Sequence, residues 1–373
     1  MRRVGFAARM ELDRARAALD ALLPEPRTER VPLGVAIGRT VAASGLAPAK
    51  LPTTPCARID GYALAAASTY GASSYTPLEP SSGLVEVVAG AAMPPGSDSV
   101  LGYAAVAGTV DRIEIVDPVA PGEGVMPAGD LWMMGATVIP AGRRLDALAA
   151  ARAAQAGLAE ITAWGQPRIA LLVAGAKPGR SVVDPLAVLL DDLVARDGAT
   201  LERRSGLGSL GEVDLALVAG RSGCGPDDDA APTIAASGRM IWHGLAIAPG
   251  GSAGLGTVGD IPVILLPGEP LGCLVAYEFL AGPAVRRLAG LDPALPHTRV
   301  TRPLAAKIAS RVGTTELWLV GGRGAEVLPL AHPDLATLAT TAPAVGFVMV
   351  PAASEGYPAG AEVEVHLFGA DHG

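Results

Sequence analysis

Aromatic side chains are scarce, at 4% of 373 residues. The cores must therefore be built from Ala, Val and Leu, and a nucleic-acid platform of stacked rings is not expected. Charge is sparse too, at 18%, and 29 Lys and Arg against 37 Asp and Glu leave a net charge of −8. An acidic chain repels phosphate backbones unless its cations are concentrated locally, which argues against a general DNA or RNA partner. Cysteine is limited to Cys56, Cys224 and Cys273, with no Cys-x-x-Cys pair. That excludes a disulfide framework and a thiolate zinc site, and points to a reducing cytoplasm. Long hydrophobic runs are missing as well: Ile169–Gly175 and Ile261–Leu266 fall far short of the roughly 18 to 20 residues of a membrane helix. Glu11, Asp13, Arg14 and Arg16 stand where a secretory signal would need an uncharged apolar stretch, so a soluble cytoplasmic protein with no membrane partner is expected.

At about 150 residues per domain, the length predicts two to three domains. Leu12, Ala15, Ala18, Leu19, Leu22 and Leu23 recur at helical spacing until Pro24, which predicts an amphipathic opening helix. Short apolar segments cut by Gly and Pro follow, among them Gly83–Val88 and Ser99–Val106, and these read as a small β-rich domain. Ile59 to Asp111 carries no Lys or Arg, which marks an acidic, solvent-facing module. Leu145–Ala156 is a helix with Gly157 at its left-handed end. Strand Ile169–Val173, helix Asp184–Arg196 closed by Gly198, strands Asp214–Val218 and Ile261–Leu266, and a long helix from Pro270 to Leu288 then alternate. Such alternation predicts a parallel sheet with crossover helices. Beyond Pro293, strand-like runs such as Phe347–Val350 and Glu362–Leu367 read as a terminal β-rich domain.

Ligands of open parallel sheets sit outside the carboxyl ends of the strands, where Gly turns and helix starts present backbone N–H groups. Three strand ends run into such turns here: Gly175-Ala176-Lys177-Pro178-Gly179, Gly220-Arg221-Ser222-Gly223-Cys224-Gly225 and Pro267-Gly268-Glu269-Pro270. Taken singly, each turn only ends a strand; three on one edge favour a ligand site.

With these loops, Ile59-Asp60-Gly61-Tyr62-Ala63, Ala89-Gly90-Ala91-Ala92-Met93-Pro94-Pro95-Gly96 and Ala248-Pro249-Gly250-Gly251 form an ordered set of motifs over nearly the whole chain. The set resembles the molybdopterin molybdenumtransferase family of the MoeA type, which has the gephyrin E domain among its eukaryotic relatives. The resemblance implies an α/β multidomain fold: a helical/linker domain (7–51 plus 131–166), an acidic β-rich domain (52–130), a parallel-sheet α/β molybdopterin-binding domain (167–293) and a C-terminal β domain (294–373). It also implies a homodimer, with the partner's acidic domain completing the site. The implied activity is in molybdenum cofactor biosynthesis: insertion of molybdate into adenylylated molybdopterin with Mg²⁺-dependent release of AMP. Carried over motif by motif, Asp60, Asp130 and Asp228 are the catalytic candidates. Gly175, Lys177, Asp184, Gly220, Arg221, Ser222, Pro249, Gly250, Pro267, Gly268 and Pro270 are the cofactor-binding ones. Hard carboxylate oxygens suit Mg²⁺, although no metal ligand set is assigned.

Several side chains depart from the family pattern while the Gly and Pro positions are kept. Ala174-Gly175-Ala176-Lys177 stands where the family has Thr-Gly-Asp-Glu, Ala248-Pro249-Gly250-Gly251 where it has Lys-Pro-Gly-Lys, and Glu269 where it has Asn. No Lys or Arg occurs from Met240 through Val285, whereas Lys177, Arg180 and Arg221 stand in the first two loops. This relocation implies an altered active site. The other readings are a non-catalytic protein that binds or delivers the cofactor, docking on a molybdoenzyme or another biosynthesis protein, and a dimeric scaffold that has lost its ligand. Glu269 is expected to repel an oxyanion unless it caps its helix, Cys224 to be inert and Cys273 to pack against the sheet.

Overall fold

The computed structural model describes residues 6, 8–80, 84–109, 112–175 and 184–369. The chain forms two compact units, one of residues 30–163 and one of residues 1–29 with 164–373.

Unit 30–163 holds separate small cores. One is built on helix Ala147–Gln155, whose Asp146 cap accepts the Ala149 N–H at 2.7 Å. The helix ends at Gly157 with φ +86°, and the Leu158 N–H returns to the Ala153 carbonyl at 2.9 Å, the left-handed stop expected from the sequence. Its Ala149 and Ala153 pack on Val41, Val138, Ile139 and Ile161. In the β-rich part, Gly61–Leu64 lies between the antiparallel strands Val85–Val87 and Ser99–Gly102.

In the larger unit, helix α1 (Leu12–Asp20) buries Leu12, Ala15 and Leu19 in the α/β core. Its Arg16 Nε donates to the Phe279 carbonyl at 2.7 Å. The opening helix therefore packs with the α/β part. The central sheet comprises β1 (Arg168–Val173), β2 (Thr200–Arg203), β3 (Leu215–Ala219), β4 (Arg239–His243), β5 (Gly254–Val258) and β6 (Ile261–Leu266), in the order β2-β1-β3-β6-β5-β4. The first four in that order are parallel, as expected. Of the last two, β5 runs against the rest, pairing antiparallel with both β6 and β4, which corrects the expectation of a parallel sheet. The reason is local: only Gly259, at φ +58°, and Asp260 separate β5 from β6, and two residues turn a hairpin but cannot cross over.

Helix α2 (Pro185–Arg196) links β1 to β2 and ends before Gly198 at φ +88°; α3 (Ala230–Ser237) precedes β4. The long helix after β6 runs over Pro270–Ala276, passes through a π-helical turn at Tyr277–Ala281 and continues over Gly282–Leu288. The C-terminal strands Thr315–Arg323, Gly346–Val350, Glu362–Leu367 and Arg299–Pro303 form a second sheet, which takes in Ile247–Ala248 from the β4–β5 connection. Leu317, Leu319 and Phe347 share one core with Ile247 and Leu266, so segments 167–293 and 294–373 are packed as one unit. Among the described residues, no helix is long and apolar enough to cross a membrane.

Candidate functional site

The strand order reverses at β1, since β2 lies on one side of it and β3 on the other. A crevice opens at such a point outside the carboxyl ends. Val173 pairs with Ala219, Ala219 with Leu266, Leu265 with Gly254, and Gly254 with His243. The ends of β1, β3 and β6 and the whole β4–β5 connection therefore lie on one edge.

Glycine makes the close approach of these ends possible. Gly220 has φ +100°, and a Cβ on it would lie 2.7 Å from the Ala174 carbonyl oxygen. A Cβ on Gly268 would lie 3.2 Å from Gly220 Cα, and one on Gly175 3.2 Å from Arg221 Nε. The ends are tied by the Ala174 N–H to the Ala219 carbonyl at 2.8 Å and the Gly220 N–H to the Leu266 carbonyl at 3.1 Å. Gly175, Asp184, Gly220, Arg221, Asp227 and Gly268 line the resulting cleft of about 430 Å³. Arg221, itself at φ +48°, donates to Asp229 at 3.0 Å, and both side chains are substantially exposed.

The helix starts on this edge are already capped. Asp184 accepts the Leu186 N–H at 2.9 Å, and Glu269 accepts the Leu271 and Gly272 N–H groups at 3.0 and 2.6 Å. Glu269 is thus the cap of the helix that begins at Pro270, and its charge is set against the positive end of the dipole. Just behind it, Cys273 is fully buried, and burial, with the nearby Glu269 and Asp184 charges, pushes its thiol up to about 12. A thiol so placed stays protonated and inert at neutral pH, and Cys273 packs into the core as the expected small hydrophobe.

Other expected residues are distributed unevenly. Ser222 is buried behind the cleft, its hydroxyl 2.8 Å from that of Ser252, and its carbonyl accepts the Nε2 proton of His243 at 2.7 Å. Pro249 and Gly250 lie against the Pro270 helix, where a Cβ on Gly250 would be 2.8 Å from the Gly272 carbonyl oxygen. Pro267 and Pro270 flank Gly268 and Glu269. Asp228 turns back into its own loop, accepting the Gly225 N–H at 2.7 Å, while Asp227 faces the cleft. Asp227 and Asp228 differ in this way because successive residues of a turn point in different directions. Asp60 and Asp130 lie in the 30–163 unit, where Asp60 accepts the Ala89 N–H and Asp130 pairs with Arg58, each at 2.7 Å. Lys177 and Arg180 lie outside the described residues. A neighbouring cavity of about 600 Å³ is lined by Cys224, Asp228, Pro232, Met240, Trp242 and His243 among others.

Among the described residues, no three His, Cys, Asp or Glu side chains converge as a self-contained metal cage. Asp184 and Asp227 both line the one cleft, and carboxylate oxygens are hard donors of the kind a divalent cation prefers.

Residues 10–157 match the MoeA N-terminal region (domain I and II). The chain is similar to molybdopterin molybdenumtransferase 2 of Mycobacterium tuberculosis, 27% identical over 317 residues that span 72% of this chain and 77% of the relative. It is also similar to the molybdopterin molybdenumtransferase of Haemophilus influenzae, 24% identical over 318 residues, 75% and 78% of the two chains. Two solved structures of the molybdopterin biosynthesis moeA protein from Pyrococcus horikoshii share the fold, at TM-scores of 0.71 and 0.68 and identities of 24% and 21%, each covering 97% of this chain and 100% of its own. These matches together support a MoeA-like family.

Proposed function

We propose that this chain acts in molybdenum cofactor biosynthesis, inserting molybdate into adenylylated molybdopterin with release of AMP at the carboxyl edge of β1, β3 and β6. The observation that carries this reading is the glycine-lined cleft at the switch point, where Gly175, Gly220 and Gly268 bring three loops together. In it, Arg221 draws in the phosphoryl group, and the exposed Asp229 competes weakly for that cation. Met240, Trp242 and Pro232 give the adjoining cavity the apolar wall that a planar heterocycle needs. Asp184 and Asp227 would hold Mg²⁺, which when bound neutralises charge on the phosphate leaving with AMP. Asp184 does so with the carboxylate oxygen left free by its capping bond.

A binding or delivery role without transfer is the second reading. It is favoured by Asp228, which is occupied within its own loop. Incubation of the purified protein with adenylylated molybdopterin, Mg²⁺ and molybdate separates the two, with AMP and bound pterin followed in one sample. Molybdate-dependent AMP release supports transfer, retained pterin without AMP supports delivery, and absence of both leaves a scaffold. Asp227→Asn is expected to raise the Mg²⁺ concentration for half-maximal AMP release about tenfold, the worth of one charge-assisted contact. Asp228→Asn should leave that concentration within about twofold, because its carboxylate serves the loop and not the cleft.

A further inference from the structure

A cavity of about 820 Å³ in the larger unit shares no residue with the cleft or with the cavity beside it. Leu19, Leu280, Leu295 and Met349 give it an apolar wall, and Arg16 of α1 and Arg286 of the helix Gly282–Leu288 bring charge to it. Arg286 is buried because Gly282, four residues before it, has no Cβ; one there would lie 2.8 Å from Arg286 Nη1. Two of the three guanidinium nitrogens are occupied, Nη1 donating to Asp197 at 2.8 Å and Nη2 to the Pro293 carbonyl at 3.0 Å. The Nε–H is buried with no acceptor among the described residues, and a donor left in that state is costly.

The other cations on the lining are well matched. Arg287 pairs with Asp20 at 3.1 Å, Arg299 with Glu364 at 3.3 Å, and Arg196 with Asp197 and Glu278 at 3.0 and 2.6 Å, while Asp292 accepts the Ala294 N–H at 2.9 Å. Arg16 is served poorly: its Nε donates to the Phe279 carbonyl, and Asp13, 85% exposed, stands 3.7 Å from its Nη1. It also differs from a solvated surface arginine in being largely withdrawn from water. Burial presses its guanidinium toward the neutral form and the nearby Arg286 charge adds to this, with Asp13 and Asp20 offsetting only part. Two mutually repelling guanidinium groups, an unused N–H and an apolar wall therefore face one space. Phosphate alone would leave the wall uncovered and an uncharged apolar molecule would leave the repulsion, whereas a carboxylate on an apolar body answers both.

We propose that this cavity binds a small amphipathic carboxylic acid, its carboxylate between Arg16 and Arg286 and its apolar body against Leu19, Leu280, Leu295 and Met349. The site stands independently of the activity proposed above. Octanoate is the probe, titrated calorimetrically into the full chain beside octanol and inorganic phosphate. Octanoate should bind at least about tenfold more tightly than either, and saturating octanoate should raise the Tm. Arg16→Ala should weaken octanoate binding about tenfold, and Arg16→Lys, which keeps the charge and loses the fork, about threefold. Ala294→Trp, at an exposed position on the lining, should block entry and weaken binding more than about tenfold without touching either arginine. Arg221→Ala, in the cleft, should leave octanoate affinity within about twofold. Because Arg16→Ala also loses the Phe279 contact, circular dichroism must show each variant folded. A wild-type protein that does not bind octanoate overturns the site, as does unchanged affinity in a folded Arg16→Ala or Ala294→Trp protein. Equal binding of phosphate or of octanol overturns the ligand class.

Discussion

Asp197→Ala is expected to lower unfolding stability by about 3 to 5 kcal/mol, the loss typical of breaking a buried ion pair on one side. Asp197 is 1% exposed and accepts from Arg286 Nη1 at 2.8 Å, Arg196 Nε at 3.0 Å and the Tyr277 hydroxyl at 3.1 Å. Arg286 is itself 2% exposed, so removing the carboxylate leaves a guanidinium in the core with no counter-charge. Urea denaturation measures the loss. Asp197→Ala with Arg286→Met should recover much of it, since the stranded charge is then gone. For comparison, breaking the exposed Arg112–Glu79 pair, 2.7 Å apart, should cost under about 1 kcal/mol. A single Asp197→Ala protein within about 1 kcal/mol of wild type would show that water reaches Arg286.

The same cluster sets an acid limit. Burial alone would raise the Glu278 carboxyl, but hydrogen bonds from His297 and from Arg196, at 3.2 and 2.6 Å, overcome it and hold the group at about 2 against an ordinary 4.5. A depressed carboxyl binds its proton less readily when folded. Its contribution, about 3 kcal/mol, is therefore complete above pH 4.5 and is lost as the pH falls toward 2. Urea midpoints of Glu278→Gln should be much flatter than wild type between pH 5 and pH 3, and parallel curves would refute the assignment. The π-helical turn, Tyr277–Ala281, contains Glu278 and so directs this carboxylate toward Arg196 and His297.

What could be read from the sequence was what short-range chemistry controls. Gly157 and Gly198 end their helices, and the apolar run Ile261–Leu266 is a strand end to end. The β5–β6 hairpin is not legible because Gly254-Leu255-Gly256-Thr257-Val258 has too few large side chains to signal a strand; its glycines are there for close packing. A Cβ on Gly256 would lie 2.6 Å from the Arg239 carbonyl oxygen. Glu269 shows a different limit, since capping and repelling an anion require the same residue at the same place, and only its two N–H contacts decide between them. The interval from Met240 to Val285 carries no Lys or Arg, yet Arg9 enters its loop from more than 200 positions away. Interval charge counts see neighbours along the chain, whereas the field at a loop is set by neighbours in space.

Gly220→Ala is expected to abolish both pterin retention and AMP release, by more than about 100-fold, the scale of a misplacement near 1 Å. Alanine is strained at φ +100°, and its Cβ would also meet the Ala174 carbonyl oxygen at 2.7 Å. Neither neighbour can yield alone: the Ala174 N–H is bonded to Ala219, and Gly220 is bonded to Leu266 while lying against Gly268 on its other side. Relief must come from separating the ends of β1 and β6, which opens the cleft and swings Arg221 away from Gly175. Stability should fall by about 2 kcal/mol, within the range for a strained backbone position, so the protein stays folded and can be assayed. Gly360→Ala supplies the control. Its φ of +82° imposes a similar backbone strain, but a Cβ there meets open space. That variant should lose about 1 kcal/mol and keep full ligand handling. If Gly220→Ala retained pterin and released AMP as wild type does while folded, the three strand ends would not be the ligand cradle. The activity would then have to be sought elsewhere on the chain.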